Sequence, residues 1–256
     1  MFRPDQMERY QRHLQLPEVG PDGQARLLTT RVLLVGVGGL GSPAALYLAA
    51  AGVGTLALVD HDRVELSNLQ RQIAHTTARV GEYKTSSAGQ AIRGLNPDVR
   101  VIEYPERLDA ANASRILGGS DVVLDCTDNL TSRYALNEAA VAAGIPVVHA
   151  SILRFEGQLT VCWPPQGPCY RCVYPVAPPP KLAPVAGLLG VVPGVMGVLQ
   201  AAEALKLLLG IGEPLLGRLL VYDALDVSFE VLQVRRDPRC LTCGSTPTSD
   251  DPPTAV

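Results

Sequence analysis

The sequence predicts an α/β fold: a doubly wound sheet, parallel through its N-terminal half, with antiparallel strands toward its C-terminus. Three observations carry this prediction. Short apolar, β-branched runs alternate with helical segments over residues 31–150, the pattern of parallel strands joined by crossover helices. The first of these runs ends in a glycine-rich turn that opens a helix. After residue 150 the alternation stops, and three strand-like runs flank one long apolar helix.

Taken in order, residues 1–30 are polar and amphipathic and predict an N-terminal helical arm. Residues 31–37 (RVLLVGV) are the first buried strand, followed by an Ala/Leu-rich helix over 42–51. TLALVD at 55–60 is a second strand, ending in an acid. A helix over 84–95 leads to a third strand at 99–103. A helix over 110–118 precedes a fourth strand at 121–125 (DVVLD), and a helix over 133–143 precedes a fifth at 145–150. Strands over 157–163, 217–222 and 227–234 form the antiparallel part. Pro193, suited to the first position of a helix, opens a helix to about Leu209. Residues 174–184 (YPVAPPPKLAP) predict a mobile proline-rich loop, and 245–256 a disordered tail. The organisation expected is one domain over 1–244, with a nucleotide-binding half at 31–150 and a partner-binding half at 151–244.

The 256 residues carry 22 Lys+Arg against 25 Asp+Glu, a net charge of −3, and are 47% hydrophobic. That balance suits one sizeable core and excludes a disordered chain or a basic nucleic-acid-binding face. The first sixteen residues are charged throughout and hold no apolar stretch, so no secretory signal is read and a cytoplasmic location is expected. Residues 182–202 lack charge over 21 positions, long enough for a membrane span. Pro184, Pro193 and four glycines interrupt that run, which favours a buried or subunit-interface helix and no membrane.

Gly36-Val37-Gly38-Gly39-Leu40-Gly41 is a G-x-G-x-x-G between a strand and a helix, the setting in which backbone N–H groups meet phosphate at a helix N-terminus. This reads as a Rossmann-like sheet with Gly36, Gly38, Gly39 and Gly41 at a nucleotide, NAD or an adenine nucleotide alike, the alternative being a tight turn in a nucleotide-free sheet. Asp60, ending the next strand, is placed for a ribose hydroxyl. Ser67, Asn68, Gln70, Arg71 and Lys84 then bring two cations and several polar groups beyond the strand ends. Mobile cations suit a triphosphate under attack better than a dinucleotide; the bland alternative is that Arg71 and Lys84 are surface charges. Asp125 and Asp128 lie at the end of the fourth strand. Asp128 is the better Mg²⁺ candidate, with a helix N-cap as its alternative, and Asp125 suits bracing the loop. Cys169, Cys172, Cys240 and Cys243 form two C-x-x-C knuckles, which read as one structural four-thiolate zinc site, with redox or disulfide chemistry as the minor alternative. Cys126 and Cys162 are expected in the core. The four histidines show no triad or ligand spacing.

Together these motifs resemble the MoeB/ThiF family, bacterial relatives of ubiquitin-activating enzymes. The resemblance rests on GVGGLGS at 36–42, LVDHD ending at 62, LSNLQRQ at 66–72, GEYK ending at Lys84, LDCTDN at 124–129, FEGQ at 155–158, and CYRC and CLTC, and runs from about Met7 to Gly244. It implies ATP-dependent adenylation of the C-terminal glycine of a ubiquitin-like sulfur carrier ending in Gly-Gly, with release of pyrophosphate. It gives Gly39, Asp60, Asn68, Arg71 and Lys84 to ATP, with Ser67 and Asn129 beside them, and Asp128 to Mg²⁺. It further implies a homodimer in which Arg12 reaches the partner's nucleotide.

One departure stands out. Relatives that link covalently to the carrier have a cysteine in the loop after the first knuckle, where this chain has Ala183-Pro184. Adenylation without a covalent enzyme–carrier adduct is therefore expected, with sulfur supplied by a separate donor. Because the sequence stops soon after the second knuckle, no appended rhodanese domain is expected. An NAD-dependent oxidoreductase and a non-catalytic zinc-bound scaffold are the competing readings.

Overall fold

The computed structural model describes residues 2–176 and 187–244. The expectations for the tail at 245–256, for most of the proline-rich loop and for Ala183-Pro184 lie outside the described residues. The N-terminal arm folds as three short helices, α1 (Pro4–Arg9), α2 (Gln11–Leu14) and α3 (Gly20–Leu27). The strands are β1 (Arg31–Val35), β2 (Thr55–Val59), β3 (Arg100–Tyr104), β4 (Val122–Asp125), β5 (Val147–Leu153), β6 (Glu156–Cys162), β7 (Arg218–Asp223) and β8 (Ser228–Gln233). They form one sheet in the order β3-β2-β1-β4-β5-β6-β7-β8. Pairing is parallel from β3 through β5 and antiparallel from β5 to β8.

Alternation along β1 shows why both faces are covered. Val32 and Leu34 point into a core shared with α4 (Gly41–Ala51), α5 (Lys84–Leu95) and α9 (Val191–Leu209). Leu33 and Val35 point the other way, toward α6 (Ala113–Leu117) and α7 (Leu130–Ala143). A strand buried on both faces must be apolar at every position, as RVLLV is after its first residue. Chain order reverses between β1 and β4, so their carboxyl ends open a crevice at the switch point of the sheet.

Several boundaries differ from the sequence expectation for local reasons. α7 starts at Leu130 rather than 133, because Asn129 caps it by accepting from Ser132 N at 2.9 Å. α6 is shorter than 110–118, because the Asp109 carboxylate takes the Ala111 and Asn112 amides and holds a turn there. Pro193 is the third residue of α9, still within the first turn, where the missing N–H has no partner to lose. α9 is long and apolar enough to cross a membrane, but here it packs against the sheet and α4.

Its one fully buried amide, Gln200, ties helix to sheet. Gln200 Nε2 donates to the carbonyls of Asp125 (2.9 Å) and Val148 (3.0 Å), at the β4–β5 junction. Gln200→Leu keeps the volume and removes both donations. It should cost about 1–3 kcal/mol, which thermal unfolding would show as a Tm lower by about 2–10 °C; an unchanged Tm would contradict this role.

Candidate active site

The crevice is a cavity of about 400 Å³ lined by residues that follow β1, β2, β3 and β4, with Ser151 and Ile152 of β5. Its floor is the glycine turn. Gly36 sits at φ +96°, and a Cβ there would come within 2.7 Å of the Cys126 carbonyl oxygen. At Gly41, the first residue of α4, a Cβ would run into the Gly36 carbonyl. Only glycine lets the β1 and β4 ends approach this closely. Gly36, Gly38 and Gly39 lie on the wall, while Gly41 stands behind it at the helix start.

Asp60 is on the wall, and its carboxylate also braces the turn. One oxygen accepts from Val37 N at 3.0 Å and the other from Asp62 N at 2.9 Å. Burial pushes its carboxyl above the usual range, against the opposing charge of Lys84. Lys84 opens α5 and is 8% exposed; its Nζ donates to Asp62 Oδ2 at 2.8 Å. Burial acts against the Asp62 carboxylate, but donation from Lys84 outweighs it and leaves that carboxyl below its ordinary value. Asp62 is a wall residue the sequence reading passed over, though its signal was the second acid of D-H-D.

Arg71 reaches the wall from the turn after the 3₁₀ segment Leu66–Asn68, where its Nη1 donates to Ser67 O at 3.1 Å. Ser67 and Asn68 do not reach the cavity wall themselves. Asn68 Oδ1 accepts from Glu65 N at 3.2 Å, and the Ser67 hydroxyl donates to Glu65 at 3.2 Å. Their polar groups are used to shape the turn that presents Arg71. Gln72, next to it, lies on the wall with its buried Oε1 unpartnered among the described residues.

At the end of β4, Asp125 is buried off the wall and braces the loop, its Oδ1 accepting from Thr127 N (3.1 Å) and Thr127 Oγ1 (2.7 Å). Asp128 is exposed on the wall, while Asn129 both lines it and caps α7, so the N-cap role expected as an alternative for Asp128 falls to its neighbour. One turn into α7, Arg133 joins the wall, and its Nη2 donates to Thr127 O at 2.8 Å. Sequence reasoning missed it. With Arg71, Lys84 and Arg107 it makes four cations facing Asp60, Asp62, Glu106 and Asp128 around one cavity. Such a wall suits a polyphosphate, and the exposed Asp128 carboxylate suits a Mg²⁺ ion shared with phosphate oxygens.

Arg12 is not part of this wall. Its arm packs at the other end of α4, where Tyr10 is buried beside Gly52 and its hydroxyl accepts from Asn96 Nδ2 at 2.8 Å. Eleven helical residues, about 16 Å, separate that end of α4 from the glycine turn.

The four knuckle cysteines meet at one point, beside the one-turn helix α8 (Tyr170–Val173). Sγ atoms lie 3.8 Å apart for Cys169–Cys172, 3.6 Å for Cys169–Cys240 and 3.4 Å for Cys172–Cys243. A tetrahedral site with Zn–S bonds of about 2.3 Å has sulfur–sulfur edges of about 3.8 Å, so the set fits zinc. All six cysteines are free thiols, with Cys126 and Cys162 in the core as expected.

A family model described as the ThiF family matches residues 10–242. The SAMP-activating enzyme E1 of Haloferax volcanii is 53% identical over 242 residues, covering 93% of this chain and 89% of that protein. The sulfur carrier protein adenylyltransferase of Thermus thermophilus is 52% identical over 252 residues, 95% and 93% of the two chains. The adenylyltransferase and sulfurtransferase MOCS3 of Mus musculus is 51% identical over 248 residues; the match covers 95% of this chain and 54% of that protein, so the chain spans about half its length. Among solved structures, E. coli MccB with MccA-N7isoASN superposes at a TM-score of 0.83 over 93% of this chain and 75% of that one; at 23% identity this is a likeness of fold. The chain belongs to the ThiF family.

Proposed function

We propose that this protein adenylates the C-terminal glycine carboxylate of a ubiquitin-like sulfur carrier and releases pyrophosphate. The observation that carries this reading is the switch-point cavity, in which a glycine turn and helix start face Arg71, Lys84 and Arg133. The relatives named above as activating a carrier match almost the full chain. Residues 1–244 act as one adenylation unit in this reading.

The carrier's terminal carboxylate oxygen attacks the α-phosphorus of ATP in line. The new O–P bond forms as the bond to the β-phosphate breaks, and its electron pair leaves with pyrophosphate. The protein's part is placement and charge compensation. The backbone of Gly36–Gly39 receives the phosphates, Asp60 the ribose, and Arg71, Lys84 and Arg133 the charge growing on the leaving group. Asp128 would hold a Mg²⁺ ion, which would offset negative charge on the phosphates. Arg12, remote from its own cavity, serves the partner's site in a homodimer. Leu66, Ile73 and Val191, exposed around the Arg71 turn, supply apolar contact for that dimer.

Transfer then proceeds without a covalent adduct on the described cysteines. Cys126 touches the cavity, yet burial pushes its thiol well above the ordinary value, and an un-ionised thiol is a poor nucleophile. Sulfur from a separate donor instead attacks the acyl carbon, and AMP leaves with the electron pair of the broken C–O bond. The carrier body docks at the last strand. Among the described residues one edge of β8 is unpaired, and its Phe229, Val231 and Leu232 are about half exposed, a surface for strand addition. The reaction is assigned to the cytoplasm, where four reduced thiols hold structural zinc.

ATP–pyrophosphate exchange tests the central claim, using carriers ending in Gly-Gly beside copies lacking those glycines. Exchange should require the intact tail and fall about 10²–10³-fold in Arg71→Ala and in Asp128→Asn; a zinc-loaded, ATP-binding protein that exchanges with no carrier would leave a scaffold. Phe229→Asp should raise the KM for carrier about tenfold or more with the KM for ATP unchanged, and equal effects on both would refute docking at β8. Metal analysis should find one zinc per chain, and its removal by a chelator should lower Tm by about 10 °C, the scale of a lost long-range cross-link.

A further inference from the structure

Asp128 enters the crevice from a two-residue extension beyond β4, and the groups that hold that extension are buried. Register puts Asp125 of β4 directly beside His149 of β5. The Asp125 carboxylate is fully engaged, with Thr127 on one oxygen and His149 Nδ1 on the other at 2.8 Å. The Thr127 carbonyl is held from the opposite side by Arg133. His149 is 1% exposed, and its Nε2 has no hydrogen-bond partner among the described residues. The rings of Tyr170 and Tyr174 pack on it, with centroids 4.7 Å and 6.1 Å away.

This pair is an expensive way to fill a core. A buried carboxylate and imidazole lose solvation, and the orphaned nitrogen recovers none of it. An apolar pair would pack as well, but it would leave the two Thr127 donors without an acceptor and the loop without a fixed course. Burial pushes the imidazole below its ordinary pKa, which keeps it neutral with its proton on Nδ1, aimed at Asp125. One oxygen of Asp125 is thereby fixed, and the other is turned toward Thr127.

We propose that His149 is a positioning residue for adenylation. Through Asp125 and Thr127 it sets the direction in which Asp128 enters the cavity, without touching nucleotide or carrier. The proposal rests on the reading of Asp128 given above. Tyr170 lies between two knuckle cysteines in sequence, so the cysteine clamp bears on the same loop through the face of His149.

Four variants test it in full-length, zinc-loaded protein: His149→Ala, His149→Asn, Asp128→Asn and the Ala/Asn double variant. The amide nitrogen of asparagine stands where Nδ1 does and restores the donation to Asp125, so His149→Asn separates a lost hydrogen bond from a lost side chain. His149→Ala should lower kcat for pyrophosphate exchange about 10–100-fold, the usual effect of removing a group that orients a ligand. Its KM for ATP, and its ATP affinity by calorimetry, should stay within about twofold. His149→Asn should recover most of kcat. In the Asp128→Asn background, His149→Ala should cost nothing further, because both changes remove the same function. Equal losses in His149→Ala and His149→Asn that follow Tm, or losses that add to that of Asp128→Asn, would overturn the proposal and leave a packing role. Full exchange in His149→Ala with Asp128→Asn inactive would refute the inference alone, whereas full exchange in Asp128→Asn would refute the reading of Asp128 and the inference with it.

Discussion

The rest of the site depends on one close approach of backbones, that of Gly36 to the carbonyl of Cys126 where β1 and β4 end side by side. That contact sets the width of the switch-point crevice and the start of α4. It is held from outside by side chains that converge on Val37. The Val37 amide donates to Asp60, and its carbonyl is contacted by His75 Nε2 at 3.1 Å and by the Ser42 hydroxyl at 3.2 Å. His75 is buried, and burial lowers its pKa to about 4, so it is neutral at pH 7 and can donate from Nε2. A turn bound at both its amide and its carbonyl is held in place, so in the proposed reaction a phosphate would have to suit the turn.

The cations around this turn are held in waiting by groups of the protein. Lys84 is paired with Asp62, Arg71 with the Ser67 carbonyl and Arg133 with the Thr127 carbonyl. Each acceptor fixes a long side chain whose free rotation would otherwise be lost on binding. None is so strong a partner that a polyphosphate, with several negative oxygens, would fail to compete. In the proposed reaction Asp62, about half exposed, would release Lys84 to the nucleotide and stay solvated itself. Preorganisation of this kind is where electrostatic catalysis gains most, because little rearrangement is left for the reacting state.

What could be read in the sequence divides along the same physical line. Strand runs and their glycine punctuation are local, so β1 to β5, the turn at 36–41 and the full extent of α5 were readable. The knuckles were readable because C-x-x-C spacing is set by one turn of chain. Missing were the partnerships that arise only when the sheet assembles: His149 against Asp125 through the β4–β5 register, Arg133 through the phase of α7, and Gln72 beside the glycine turn. The histidines gave no signal, because the side-chain bond of His149 joins it to a residue 24 positions away. Ser67 and Asn68 show the converse. Polar residues near a site can serve the turn that presents it, and sequence spacing alone does not separate the two uses.

The two halves of the sheet are joined by α9 more than by the strands alone. Its N-terminal turn abuts Gly39 through Pro193, its middle holds the β4–β5 junction through Gln200, and Glu203 accepts from Leu215 N at 2.8 Å on the way to β7. The cysteine cluster closes the same circuit from the far side, fixing the chain after β8 to α8 across 67 intervening residues. Such a closure costs entropy that grows only slowly with loop length, so a long segment can be tied down by one metal site. The consequence is mechanical. The β8 edge, where a macromolecular partner would add, and the β4 loop, where its tail would react, become parts of one framework. In the proposed reaction, α9 and the cluster would then fix the separation between docking and chemistry, and a tail of set length would reach the α-phosphate only with its body seated at that edge.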